Sequence, residues 1–75
     1  QERAIALAIP RALATGSLSE ARSLLDATGG LELDYLVTTA PDMTDLPADY
    51  TGPARMLVAA KVGATRLLDN APIEL

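Results

Sequence analysis

Leu57-Val-Ala-Ala-Lys61-Val-Gly-Ala-Thr-Arg66-Leu-Leu-Asp-Asn70 is an apolar run that breaks at Gly63, resumes at Leu67-Leu68 and stops on two polar side chains. Either it is a catalytic loop or it is a β-hairpin whose polar end is held for structural reasons. Upstream, Arg55 to Val62 has the β-branched and apolar character of a strand, with Met56, Val58, Ala60 and Val62 on one face. Gly63-Ala64-Thr65 is short enough to turn the chain back, so Arg66 onward is the returning strand. Asp69-Asn70 and Ala71-Pro72 interrupt its alternation, which Ile73-Glu74-Leu75 resumes. A bulge, or an edge position where Pro72 needs no ladder donor, would accommodate them.

Upstream of the hairpin, Leu31 to Thr39 alternates, with Leu31, Leu33, Tyr35 and Val37 set against Glu32, Asp34, Leu36 and Thr38. Period two predicts a strand with one buried face. Ala40 to Ala54 holds three prolines, three aspartates and a glycine, and reads as a surface loop. Such a long loop in a compact domain needs an anchor from Met43, Leu46 or Tyr50.

Residues 2 to 14 are rich in Ala, Leu and Arg, with Ile5, Ile9 and Leu13 at four-residue spacing, the stripe of an amphipathic helix. Pro10 removes a donor inside it, so the helix kinks there or Pro10 lies in a first turn. Gly16 supplies a left-handed stop, and Ser17-Leu-Ser-Glu20 matches a capping box in which Ser17 accepts and Glu20 reaches back. The second helix presents Leu18, Ala21, Leu24, Leu25 and Thr28 and ends at Gly29-Gly30. The order helix, helix, strand, loop, strand, strand predicts an α+β fold: a helical hairpin packed on an antiparallel sheet of about three strands. Residues 1–75 form one domain, without internal repeats.

Composition narrows the functions. The 75 residues are 49% apolar, without Phe or Trp and with Tyr35 and Tyr50 the sole aromatics, so the core is aliphatic and thin. Six basic against ten acidic residues give a net charge of −4, and Arg3, Arg11, Arg22, Arg55, Lys61 and Arg66 are scattered, which argues against nucleic acid. With no cysteine and no histidine, disulfides, thiolate zinc sites and imidazole catalysis are absent from these residues. The longest apolar run falls far short of the ~18 residues of a membrane span, and the start lacks a signal-peptide pattern. The cysteine-free composition suits a reducing cytoplasm. Beginning at Gln1, the chain reads as a fragment or a trimmed protein.

Thr65, Arg66, Asp69 and Asn70 form the sharpest polar cluster. The Arg could clamp a carboxylate or phosphate, with Asp and Asn hydrogen bonding beside it. The preferred reading is structural: Asp and Asn cap turns, and the Arg pairs with an acid near the hairpin. Asp42, Asp45 and Asp49 lack the order of a calcium loop and read as hydrated surface. Gly29-Gly30 and Gly63 match no phosphate-binding signature. Ser19 lies in Leu-Ser-Glu, without the Asp-Ser-Leu signature of an acyl carrier protein, which is in any case all-helical.

Arg55-Met-Leu-Val-Ala-Ala-Lys-Val-Gly-Ala-Thr-Arg66-Leu-Leu-Asp-Asn70, followed by Ile73-Glu74, resembles the C-terminal end of the pantoate beta-alanine ligase (pantothenate synthetase) family. That family carries a strand ending in Leu-Val-Ala-Ala, a Gly-containing turn, an Arg-Leu-Leu/Ile-Asp-Asn run and a final Ile/Val-Glu stretch, in this order. Leu33-Asp34-Tyr35-Leu36 is similar to its Val-Asp-Tyr-Leu strand. The resemblance implies the C-terminal lid domain of an enzyme that joins pantoate to beta-alanine through pantoyl adenylate, using ATP with magnesium and releasing AMP and pyrophosphate. It also implies a Rossmann-like N-terminal domain, outside these residues, that forms a homodimer and carries the histidine-containing nucleotide signature. A Ser-Ser-Arg-Asn phosphate-binding stretch would lie at the hinge, just ahead of Gln1. None of these motifs occurs here, so no catalytic, cofactor-binding or metal residue is assigned, and the 75 residues alone are expected to be inactive. The alternative is a free-standing acidic interaction module whose exposed aliphatic sheet face binds a partner or its own copy; self-association of the fragment is expected if the missing domain normally covers that face.

Overall fold

Pro10 divides the N-terminal helix in the computed structural model, which describes residues 2–75. Helix α1 spans Glu2–Ala6 and α2 Ala8–Ala14, with Leu7 between them. Proline lacks the N–H that would bond the Ala6 carbonyl and its ring crowds that carbonyl, so the break falls one turn ahead of it. Pro10 thereby sits in the first turn of α2. The flanking bonds survive, from Leu7 N–H to the Arg3 carbonyl (3.2 Å) and from Arg11 N–H to the Leu7 carbonyl (3.4 Å). The apolar stripe holds across the break: Ile5 is half-buried, and Ile9 and Leu13 enter the core with Ala8 and Ala12.

Gly16 ends α2 at φ 67°, and Ser17 caps α3, Leu18–Asp26, accepting from the Glu20 amide at 3.3 Å. The other half of the expected capping box does not form. The Ser17 amide donates instead to Thr15 Oγ1 (3.3 Å), whose own hydrogen goes to the Ala12 carbonyl at 2.7 Å. Helices α2 and α3 pack on each other, with Ala21 and Leu25 of α3 fully buried between layers.

Three strands complete the α+β architecture: β1 Leu31–Thr39, β2 Pro53–Val62 and β3 Thr65–Glu74, antiparallel in the order β1-β2-β3. Gly63 and Ala64 alone connect β2 to β3. Gly63 at φ 61° is the first residue of this two-residue turn, the position where a type II′ hairpin requires glycine. Ala54, Met56, Val58, Ala60 and Val62 all face the helices and are buried, as the alternation predicts. β3 runs without interruption: Asp69-Asn70 and Pro72 are regular ladder positions opposite Val58, Leu57 and Arg55. Its edge location tolerates Pro72, so no bulge is needed there.

The bulge lies instead in β1. Leu33 pairs with Ala60 and Tyr35 with Ala59, leaving Asp34 as an extra residue opposite neither. An inserted residue reverses the facing of everything after it. Leu31 and Leu33 therefore face the helices, but so does Leu36, only 3% exposed, while Tyr35 and Val37 turn outward at 40% and 42%. The sequence expectation that Leu31, Leu33, Tyr35 and Val37 share one buried face is thus corrected at its second half.

The loop of residues 40–52 is pinned by Leu46 and Tyr50, which pack on the core, whereas Met43 is exposed. Tyr50 donates its hydroxyl to the Pro53 carbonyl at 2.6 Å. Gly52 and Leu75 exchange two backbone bonds of 2.9 Å, extending the β2–β3 ladder to the last residue.

Candidate functional site

One face of the sheet is covered by helices; the other is open and collects most of the polar residues singled out in the sequence. Across it, cross-strand rows run Glu32–Lys61–Arg66, then Tyr35–Ala59–Leu68, then Val37–Leu57–Asn70, then Thr39–Arg55–Pro72. The middle rows are largely apolar and the outer rows polar or charged. Leu68 is 66% exposed, and beneath it Ala59 is fully covered by its larger neighbours.

Arg66 reaches across β2 to the bulged Asp34, its Nη2 lying 2.8 Å from Oδ2. The pairing with an acid is as expected, but the acid sits two strands away, and only the bulge brings it into range. Both side chains are more than half exposed, so the pair contributes about 0–1 kcal/mol. Glu32, Lys61, Arg66 and Asp34 together rim a shallow depression floored by Leu33 and Ala60.

Asn70 and Asp69 lie four and three residues along β3 from Arg66, about 13 and 10 Å away at strand spacing. Asn70 Oδ1 accepts from Arg55 Nη1 (2.5 Å) and Asp69 Oδ1 accepts from the Asn70 amide (2.8 Å). Thr65 and Asp69 alternate to the helix side of the strand, Arg66 and Asn70 to the open side. The four residues therefore do not converge on one point. Arg66 reaches β1, Asp69 holds the backbone of β3 and Asn70 pairs with neighbouring β2.

The acidic loop is likewise occupied with itself. Asp42 Oδ1 accepts from the hydroxyl of Thr44 (2.6 Å) and from its amide (3.2 Å), and these two bonds, the hydroxyl foremost, hold the Asp42 carboxyl below its ordinary value. Asp45 lines a groove with Leu46, Pro47, Tyr50, Val37 and Leu75. Among the described residues no three carboxylates approach closely enough to hold a metal ion. Ser19 Oγ lies 3.2 Å from Ser17 Oγ on the exposed first turn of α3, and the three-stranded sheet rules out an acyl-carrier bundle. Gly30, at φ 86°, serves packing: a Cβ there would stand 2.7 Å from Ile5 Cδ1.

Two participants escape sequence reasoning. Arg55 reads there only as the start of a strand, yet it pairs with Asn70. Asp34 reads as the solvent side of a regular strand, although Leu36-Val37, adjacent apolar residues after it, is the signal that one of them has to change face.

Such a surface can pack, position and shield; it assembles no nucleophile with a base. Known proteins show what the whole chain is similar to. A family model for Pantoate-beta-alanine ligase matches residues 1–72. Pantothenate synthetase of a Nocardioides species is 47% identical over 87 aligned residues, covering 100% of this chain and 26% of that protein. Pantothenate synthetase of Corynebacterium jeikeium is 42% identical, covering 100% of this chain and 27% of its own. The crystal structure of pantothenate synthetase from Thermus thermophilus superposes with a TM-score of 0.69 at 26% identity, over 85% of this chain and 28% of that one. The chain thus spans about a quarter of the length of these relatives.

Proposed function

Because the chain belongs to the pantoate-beta-alanine ligase family, we propose that it is the C-terminal lid domain of an enzyme that condenses pantoate with beta-alanine to give pantothenate. The observation that carries this reading is a match over the whole of this chain to relatives about four times as long. Family membership also takes away the ground for a free-standing interaction module.

In this reading pantoate is activated by ATP as an adenylate, with magnesium, and the amine of beta-alanine then displaces AMP. Placing the nucleotide and metal elsewhere is supported by the pairing of Arg66 and Arg55 with Asp34 and Asn70 and by the spread of the carboxylates, no three of which come together among the described residues. ATP and magnesium belong to the upstream polypeptide, which also provides the dimer contact. The role of the 75 residues is to close over the activated acyl group and keep water from it, since a mixed anhydride in open solvent is lost to hydrolysis. A rigid body suits that role, and here the helices, the hairpin and the Gly52–Leu75 closure supply it. A cytoplasmic location goes with this biosynthetic role. Among the described residues no helix is long and apolar enough to cross a membrane.

The test is direct. The full-length protein, given ATP, magnesium, pantoate and beta-alanine, forms pantothenate with one AMP per product, and the 75 residues alone form none. Pantothenate production by the 75 residues alone would overturn the assignment of the chemistry to upstream residues.

A further inference from the structure

The sheet has two free edges, and the register fixes which backbone groups point out of each. Gly52 and Leu75 exchange both of their bonds at 2.9 Å. In an antiparallel ladder such pairs recur at every second residue, so the bonded pairs of β2 with β3 run Ala54–Ile73, Met56–Ala71 and Val58–Asp69. The residues between them on β3, Leu68, Asn70, Pro72 and Glu74, turn their backbone groups away from the sheet. Because Val58 bonds to β3, its β1 partner Leu36 likewise points outward.

The residues that read as interruptions of β3 bear on this outward row. The Asn70 amide is taken by Asp69 Oδ1 at 2.8 Å, and Pro72 has no N–H. The free donors on either side, at Leu68 and Glu74, stand six residues or about 20 Å apart. An incoming strand meets no continuous run of donors there. On β1 the Leu36 carbonyl is held by Arg22 Nη2 of α3 at 3.1 Å, and the Asp34 bulge breaks the row ahead of it. Arg22, Asp69 and Pro72 are all exposed, so the core does not account for them.

What they oppose is set by the face beside them. Tyr35, Val37 and Leu68 form an outward apolar patch that reaches both edge strands. A bare edge next to such a patch is a template for a second copy, because pairing would add backbone bonds and cover apolar surface together. We infer that Asp69, Pro72 and Arg22 guard the sheet edges: they keep the sheet at three strands and stop two copies of the chain from joining edge to edge. The acid, amide and proline of β3, unusual inside a strand, are then a requirement of its place at the rim.

The experiment uses the full-length protein. Asp69→Val with Pro72→Val restores two outward N–H groups, and Arg22→Met frees the Leu36 carbonyl. Sedimentation velocity over a concentration series compares each with the unsubstituted protein, whose own oligomeric state is the baseline. The double variant is expected to associate beyond that baseline, the association constant of the added step rising about tenfold or more for two regained bonds. Arg22→Met is expected to give a smaller rise. Adding Leu68→Pro to the double variant removes a neighbouring outward donor without touching the ladder to β2, as Pro72 already does, and is expected to return the protein to baseline. Baseline behaviour of the double variant, or association that Leu68→Pro leaves unchanged, overturns the inference for β3. Baseline behaviour of Arg22→Met overturns it for β1.

Discussion

Leu36 and Val37 are neighbours in sequence with opposite fates, and exchanging each for Thr measures the bulge directly. Threonine keeps strand propensity high, so burial decides the outcome. At Leu36, 3% exposed, the change removes two carbon groups at about 0.8 kcal/mol each and leaves a buried hydroxyl whose unmet hydrogen bond costs about 1–3 kcal/mol. The expected loss is about 3–4 kcal/mol. A chain of this length has on the order of 4–11 kcal/mol in total, so Leu36→Thr brings it close to unfolding. At Val37, 42% exposed and nearly isosteric with Thr, the change is expected to stay within about 0.5 kcal/mol, and Tyr35→Thr within about 1 kcal/mol. Urea titration followed by far-ultraviolet circular dichroism reads the difference: with a slope near 1 kcal/mol/M, Leu36→Thr lowers the midpoint by about 3 M. If Val37→Thr or Tyr35→Thr proved as damaging as Leu36→Thr, β1 would be a regular strand and the outward patch would not exist.

Four further outcomes follow from the geometry. Gly30→Ala puts a Cβ on a left-handed backbone, the tip of Ile5 having to move aside, and is expected to cost about 1–2 kcal/mol, measured as a fall in urea midpoint. In a double-mutant cycle of Arg66→Met and Asp34→Asn, the coupling should be below about 1 kcal/mol and shrink with added salt. The Asp42 carboxyl is expected to titrate below the ordinary aspartate range in a carbon-13 NMR titration, and Thr44→Val to move it upward by removing the hydroxyl donor. Since folding depresses that pKa, whatever stability the bonds supply is present above the unfolded value and disappears as pH falls through the folded one. On the proposed lid role, Leu68→Glu in the full-length protein, which puts a charge on the open sheet face, should raise AMP released per pantothenate formed above one.

Much of the fold was legible because local signals agreed with one another. Gly16 and Ser17 mark the α2–α3 junction by backbone geometry and capping, and Gly63 marks the hairpin by a φ that other residues avoid. Met56, Val58 and Ala60 alternate cleanly in the central strand, where both neighbours enforce register. The edges were harder. Pro72 left two options open that only its place at the rim of the sheet decides, and Asp34 reads as an ordinary outward residue until its ion pair two strands away is visible. The polar cluster was legible in part: Arg66 pairs with an acid, and Asp69 and Asn70 make local and cross-strand bonds, as their side chains suggest. It was not legible in layout, because Asp69-Asn70, a pair typical of turns, lies inside a continuous strand where tertiary pairing overrides turn preference. Glu20 shows the same on a small scale, since Thr15 reached the Ser17 amide first.

The positions of the two tyrosines shape how the domain can be observed. Tyr35 looks out from the open face, and Tyr50, tied to the Pro53 carbonyl, touches the core only from the loop side, so neither is itself a core residue. Intrinsic emission is consequently a sensor of the periphery, and the interior is optically dark. A fluorescence transition that precedes the circular dichroism transition would signal release of the loop from a still-assembled interior, separating two events that a single spectroscopic probe would merge.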